Sequence, residues 1–187
     1  MSKKIRKEIR EWIILLTVVG VLFWTGWYKD VASLLQRGLL ETGLLSPDKT
    51  EVVEEASYDF QLVNAGGKTI NFSDFEGETV FMNVWATWCP PCIAEMPDIH
   101  DLYEKVGKEV TFIMLSVDDD PETAMKFVER KGFEFPVYFL KTNLPPEYSS
   151  STIPSTFVIS PEGKIVVRQH GLSKYDSKSF REFLLSL

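Results

Sequence analysis

Apolar and polar residues alternate along this chain in three different rhythms, each predicting a different kind of element. TVFMNVWA, Thr79 to Ala86, is a nearly continuous apolar run, as expected of a central strand buried on both faces. VTFIMLSV, Val110 to Val117, is a second run of this kind. Between them, Ile93 to Val106 reads as a helix. Asp118 to Pro121 supplies helix-start chemistry for ETAMKFVERKG, and Gly132 supplies the stop. YDFQLVNAGGKTINF alternates as two short strands joined around Asn64-Ala65-Gly66-Gly67, a hairpin connection. PVYFL and STFVIS are further strands, and Pro161-Glu162-Gly163-Lys164 is a tight turn. KIVVRQH is a last strand, and Ser177 to Leu187 a closing amphipathic helix. The order predicts one α/β domain with a mixed sheet, beginning near Ala56.

Ahead of that domain the pattern changes. WIILLTVVGVLFWTGWY, Trp12 to Tyr28, contains no formal charge and as a helix reaches about 26 Å, the short end of what crosses a hydrocarbon core of about 30 Å. Trp12 stands at one edge and Trp24, Trp27 and Tyr28 near the other, matching interfacial aromatic belts. The segment is expected to be a transmembrane anchor over 12–28, following a basic cytoplasmic N-terminus over 1–11. No small-x-small cleavage site and no lipid-accepting cysteine follows, so an uncleaved anchor is favoured over a removed signal peptide. Residues 29–55 read as an amphipathic segment and linker. Val31, Leu34, Leu35, Leu39 and Leu40 have helical spacing, and Gly43, Pro47 and Asp48 mark the break.

Charge sharpens this division. The chain has 187 residues and a formal charge of −7. Six Lys/Arg against three acids precede Val31, which leaves −10 on the remainder. The basic end comes first, so the positive-inside rule places the N-terminus in the cytoplasm and the folded domain outside it. An acidic body argues against nucleic acid as a partner, because phosphate binding draws on clustered Lys/Arg. With 44% hydrophobic residues the domain can build a core without staples.

The two cysteines, Cys89 and Cys92, lie together in TWCPPCIAEMP. They are too few for a disulfide scaffold and supply half of a four-cysteine zinc site. A redox centre is the reading their placement favours. At the end of a buried strand and the start of a helix, Cys89 meets unpaired backbone N–H groups and the helix dipole, which favour a thiolate. It is the expected nucleophile. Cys92, one turn on, is within disulfide reach and is the expected resolving thiol. Pro90 and Pro91 restrict the intervening loop and remove two possible donors to the Cys89 sulfur, so a lowered but not extreme acidity is expected.

DFEGETVFMNVWATWCPPCIAEMP, the strand VTFIMLSVD, and TIPSTFVISPEGKI followed by HGL together resemble the membrane-tethered TlpA/ResA-like thioredoxins of extracytoplasmic compartments. The resemblance runs from Tyr58 to Leu187. It implies an α/β thioredoxin fold over 56–187: a central mixed sheet flanked by helices, with an N-terminal β-hairpin extension. It also implies that Pro154 follows a cis peptide bond, lies against the cysteines and exposes the Ile153 backbone for strand-like pairing with a substrate. Glu95 matches an acidic residue of the ResA-like members. Partly buried, its carboxylate would have a raised pKa and accept the proton of Cys92. Trp88 is expected as an apolar wall beside Cys89 and Trp85 as core. No cofactor or metal is implied.

The resulting expectation is a single-pass membrane-tethered thiol-disulfide oxidoreductase. Its partners would be oxidised protein thiols outside the cytoplasm, for which the family's clients include apocytochrome c, and a membrane electron donor that re-reduces the CxxC pair. A disulfide oxidase or isomerase of the same fold is the alternative, distinguished by redox potential. A peroxiredoxin is disfavoured, because Met82 and Ala86 occupy the positions of its activating Pro and Thr. A copper carrier using the two thiols with a distal histidine is disfavoured by the two-residue spacing. His100 and His170 read as surface or strand residues, and Asp118-Asp119-Asp120 as a helix cap and solvated loop.

Overall fold

The computed structural model describes residues 3–25, 32–33, 36, 38 and 54–187. Helix α1 spans Lys3–Thr25. The sheet strands are β1 (Glu54–Glu55), β2 (Gln61–Asn64), β3 (Thr69–Asn71), β4 (Val80–Trp85), β5 (Thr111–Ser116), β6 (Val137–Leu140), β7 (Ser155–Ile159) and β8 (Lys164–His170). The remaining helices are α2 (Pro90–Val106), α3 (Pro121–Lys131) and α4 (Lys178–Ser186). Strand order is β1-β8-β7-β4-β5-β6-β2-β3. The β4/β5 and β5/β6 pairs are parallel, as crossovers through α2 and α3 require. The other pairs are antiparallel, giving the mixed sheet and the β2/β3 hairpin extension expected of a thioredoxin fold.

All six residues of β4 are buried, and side-chain alternation sorts them onto two cores. Phe81 and Trp85 join the helix-covered cluster with Met96, Ile99, Leu102, Phe112, Phe127 and Phe180. Val80, Met82 and Val84 join the opposite cluster with Phe60, Phe72, Tyr148 and Phe157. Phe72 and Tyr148 reach that second face from short 3-10 turns, Phe72–Phe75 and Pro146–Tyr148. Asn83 has the same parity as Phe81 and Trp85, so it faces the helices.

Helix ends follow the local chemistry. Asp120 caps α3, its Oδ1 accepting from Glu122 N at 3.1 Å, and Gly132 closes it in the left-handed region at φ 71°, where a Cβ would be strained. Ser177 caps α4. Helix α2 begins at Pro90, ahead of the expected Ile93, because proline is well suited to a first helical turn.

Among the described residues the sheet starts at Glu54 rather than Ala56. Glu54 and Glu55 pair with Ile165 and Lys164, within the segment expected to be linker, and ion pairs Glu55–Lys164 and Glu54–Arg168 reinforce the register. The expected amphipathic residues Val31, Leu34, Leu35, Leu39 and Leu40, the break at Gly43, Pro47 and Asp48, and Trp27 and Tyr28 lie outside the described residues. No helix among the described residues is long and apolar enough to cross a membrane. Within α1 the uncharged stretch from Trp12 to Thr25 is about 21 Å long, against about 30 Å of hydrocarbon. Its side chains from Trp12 to Leu16, with Val18, Val19, Val21 and Trp24, are exposed.

Candidate active site

Strand β4 sits between β5 and β7 and delivers the chain to the N-terminus of α2 through Ala86-Thr87-Trp88. Cys89 is the N-cap of that helix, in extended backbone geometry at φ −98° and ψ 102°. It is joined to Cys92 in a disulfide, with the Cα atoms 5.3 Å apart. Cys92 N donates to Cys89 Sγ at 3.2 Å, the bond an N-cap oxygen ordinarily accepts. Pro90 and Pro91 have no N–H, so Cys92 supplies the first backbone donor of the helix to this sulfur. The same donor and the positive helix end are in place to hold the thiolate after reduction.

Accessibility separates the two sulfurs. Cys89 retains 4% of its surface and Cys92 none, so an incoming thiol or disulfide reaches Cys89 first. Trp88 beside it is 54% exposed and forms an open apolar wall, whereas Trp85 is buried against Phe127. The Ile153-Pro154 peptide is cis. The carbonyl oxygen of Ile153 lies 3.7 Å from Cys89 Sγ. In the disulfide this is a van der Waals contact, because the sulfur carries no proton to donate. The fold therefore brings Trp88, Cys89, Pro90, Pro91, Cys92, Ile153 and Pro154 to one place.

The loop holding Ile153 has its own fastenings. Gly171 N donates to Pro154 O at 2.8 Å. Ser155 Oγ lies 3.0 Å from His170 Nδ1 and donates to Thr152 O at 2.7 Å. Ser150 Oγ lies 3.2 Å from the same imidazole nitrogen. His170 is thus an exposed strand residue, as expected, but one bonded to the loop that faces Cys89.

Glu95 is fully buried, further from solvent than the partial burial expected from sequence. Its Oε1 accepts from Asn83 Nδ2 at 2.8 Å, and its Oε2 from Ser173 N at 3.1 Å. Asn83 Nδ2 also donates to Thr156 Oγ1 at 2.8 Å, which accepts from Tyr175 OH at 2.7 Å. Burial pushes the Glu95 carboxyl well above the usual carboxylate range; the two hydrogen bonds oppose the shift and the Asp98 charge adds to it. Tyr175 is pushed well above the usual phenol range by its burial and by the Glu95 charge. A carboxyl in this state is a stronger proton acceptor than an ordinary glutamate.

Asp118 corrects one expectation. Instead of belonging to a solvated loop, its carboxylate accepts from Thr87 N at 3.1 and 3.0 Å, Thr87 Oγ1 at 2.6 Å and Ser116 Oγ at 2.9 Å. It fixes the turn leading into the cysteines from the end of the neighbouring parallel strand. Only Asp120 of that acidic triplet caps a helix. His100 packs edge-on to Phe135 and tilted to Phe133. With Asp101 and Glu104 it brings three possible ligand atoms together, but both acids are exposed, the ordinary state of solvated helix side chains. Asn83, Thr156, Tyr175 and Asp118 were the site residues not foreseen. Asn83 did leave a signal, as the polar member of an otherwise apolar buried run.

Residues 51–183 match the Redoxin family model. The chain is 32% identical over 156 residues to the thiol-disulfide oxidoreductase ResA of one Bacillus cereus strain, covering 82% of this chain and 80% of that protein. It is 33% identical over 133 residues to the ResA of Halalkalibacterium halodurans, covering 70% and 76%. A solved structure of a putative thiol:disulfide interchange protein DsbE from Chlorobium tepidum superposes with a TM-score of 0.61 at 29% identity, over 75% of this chain and 98% of that one.

Proposed function

Because this chain belongs to the redoxin family, and within it to the ResA-like thiol-disulfide oxidoreductases, we propose that it reduces disulfides of exported proteins from a tether in the cell membrane. The observation that carries the reading is a CxxC disulfide capping a helix, with Cys89 the more accessible cysteine, a buried carboxyl one turn after Cys92 and an Ile153-cis-Pro154 edge against Cys89. In the reduced enzyme Cys89, as thiolate, attacks one sulfur of a client disulfide. The client S–S bond breaks, a mixed disulfide with Cys89 forms, and the first client sulfur leaves and takes up a proton. Cys92 gives its proton to Glu95 and attacks Cys89 Sγ. The mixed disulfide breaks, the second client thiolate departs, and two electrons have passed to the client.

The Ile153 backbone and the Trp88 face would hold an extended client segment across Cys89, the loop's hydrogen bonds keeping that edge in place. A membrane dithiol carrier would re-reduce the pair. Apocytochrome c fits as a client, since its haem-binding cysteines must be reduced before ligation. Anchoring is supported by the basic residues ahead of Trp12 and by the exposed apolar side chains of α1. The same asymmetry supports a cytoplasmic N-terminus and an extracytoplasmic catalytic domain.

Trapping tests this directly. Full-length protein with Cys92→Ser, expressed in its membrane, should accumulate mixed disulfides through Cys89 that mass spectrometry identifies, whereas Cys89→Ser should accumulate none. Equal trapping by both variants would sink the assignment of roles.

A further inference from the structure

From Glu95, one turn after Cys92 on α2, runs a chain of buried polar groups whose hydrogen bonding is incomplete at one atom. Asn83 projects from β4 toward α2 and uses both amide hydrogens, one on Glu95 Oε1 and one on Thr156 Oγ1, each at 2.8 Å. Its other end, Oδ1, is buried without a hydrogen-bond partner. Burying an acceptor unsatisfied is destabilising. Its presence in the middle of a fully buried strand therefore points to a second arrangement in which the oxygen is used.

We infer that Asn83 is a positioning residue for Glu95 that serves its carboxylate and carboxylic-acid forms in turn: Nδ2 donates to the carboxylate, and after an amide flip Oδ1 accepts from the acid. The inference rests on the proposed role of Glu95 as proton acceptor for Cys92. A carboxylate only accepts, and the observed donors Asn83 Nδ2 and Ser173 N suit it. When the Cys92 proton arrives, the S–H bond breaks, an O–H bond forms on Glu95, and the negative charge moves to sulfur without electron transfer. Oε2 goes on accepting from Ser173 N. An O–H on Oε1 would face Nδ2, donor against donor.

Flipping the amide removes that conflict. Oδ1 then lies where Nδ2 was, within reach of the Glu95 hydroxyl and of Thr156 Oγ1. Thr156 now accepts from both Asn83 and Tyr175; after the flip its own hydrogen turns to Oδ1 while Tyr175 continues to donate to it. One end of the amide lacks a partner in either state, the oxygen before the flip and the NH2 group after it. Leucine would serve neither form, and aspartate would add a second charge beside the first.

The groups facing Glu95 are few. Asp98 lies one turn along α2, its own carboxylate accepting from Asp176 N at 2.8 Å and from Tyr175 N. Tyr175 comes from the segment after β8. Cys92 is on the same helix, and β4 and β7 present only neutral Asn83 and Thr156. Burial and the Asp98 charge raise the Glu95 carboxyl while the Asn83 bond lowers it. Substituting Asn83 leaves the first two in place.

The test uses reduced full-length protein in detergent micelles. The carbonyl stretch of protonated Glu95, assigned by its loss in Glu95→Gln, is followed by infrared difference spectroscopy against pH. Asn83→Leu should move the midpoint up by about one unit, a tenfold change in proton affinity, and move the pH profile of mixed-disulfide release with it. Asn83→Ser, whose hydroxyl both donates and accepts, should recover part of the shift. An unchanged midpoint in folded Asn83→Leu overturns the inference. Should that variant not fold, asparagine-selective 15N labelling of the wild type decides: the Asn83 side-chain amide signals must change across the Glu95 midpoint, and constant signals overturn the flip. If Glu95→Gln releases clients at the wild-type rate, the Cys92 role of Glu95 fails separately, since the infrared midpoint still reports on Asn83.

Discussion

Glu95 is an ionisable side chain with no solvent exposure, and its position makes folding and proton affinity inseparable. Its raised folded value means that the native protein keeps a proton which the unfolded chain has already released. Stability contributed by this group is fully present below the ordinary glutamate range and is lost as pH rises through the interval up to the raised value. Glu95→Gln preserves the volume and an acceptor for Ser173 N but cannot ionise. The expected outcome is a melting temperature that depends less on pH, above the ordinary glutamate range, than that of the wild type. Calorimetry of the oxidised protein checks this. The residual slope belongs in part to Asp98, which burial shifts in the same direction. A slope as steep as the wild type's would mean that Glu95 does not hold its proton in the folded state.

At the scale of elements, the turn between β4 and α2 is held by β5. Asp118 lies two residues past the end of β5, and parallel pairing of β4 with β5 puts the two strand ends side by side, Trp85 opposite Ser116. Asp118→Ala would leave the Thr87 N–H without its acceptor, a loss of about 1–3 kcal/mol, or several degrees in melting temperature for a domain of this size. It should also slow mixed-disulfide formation at Cys89 more than Asp119→Ala does, measured by stopped-flow with a peptide disulfide. The contrast with Asp119 shows what a sequence can and cannot reveal. Helices, buried strands and the helix-capping cysteine were legible, because each depends on neighbours within a few positions. Asp118 was not, because its partners are defined by strand pairing across 31 positions. The buried chain of Asn83, Glu95, Thr156 and Tyr175 joins residues 12, 73 and 19 positions apart. Glu95 was found only through family resemblance, and Asn83 was not found, although a polar residue in an apolar buried run was a signal. Strand β1 was missed because two glutamates have no strand pattern; backbone pairing and the ion pairs with Lys164 and Arg168 place it.

For the molecule as a whole, the catalytic domain and α1 pose opposite solvation problems. The domain buries its apolar side chains in two clusters on either face of the sheet, and its outer residues suit water. Helix α1 leaves Trp12, Ile13, Ile14, Leu15, Leu16 and Trp24 exposed. At about 25 cal/mol per Å² of apolar surface, a run of such side chains is a strong drive toward a lipid phase or another apolar surface. The described uncharged stretch is shorter than a hydrocarbon core, so spanning depends on the residues just after Thr25, where Trp27 and Tyr28 continue the apolar run. The full chain should therefore stay with the membrane pellet after alkaline carbonate washing. A chain beginning after Tyr28 should move to the soluble fraction. Protease added outside intact cells stripped of their wall should remove the cysteine-bearing domain and leave a short N-terminal fragment. Release of the full chain by carbonate would indicate that α1 lies on a surface instead of crossing it. Protection of the domain from external protease would reverse the orientation and remove exported proteins as clients.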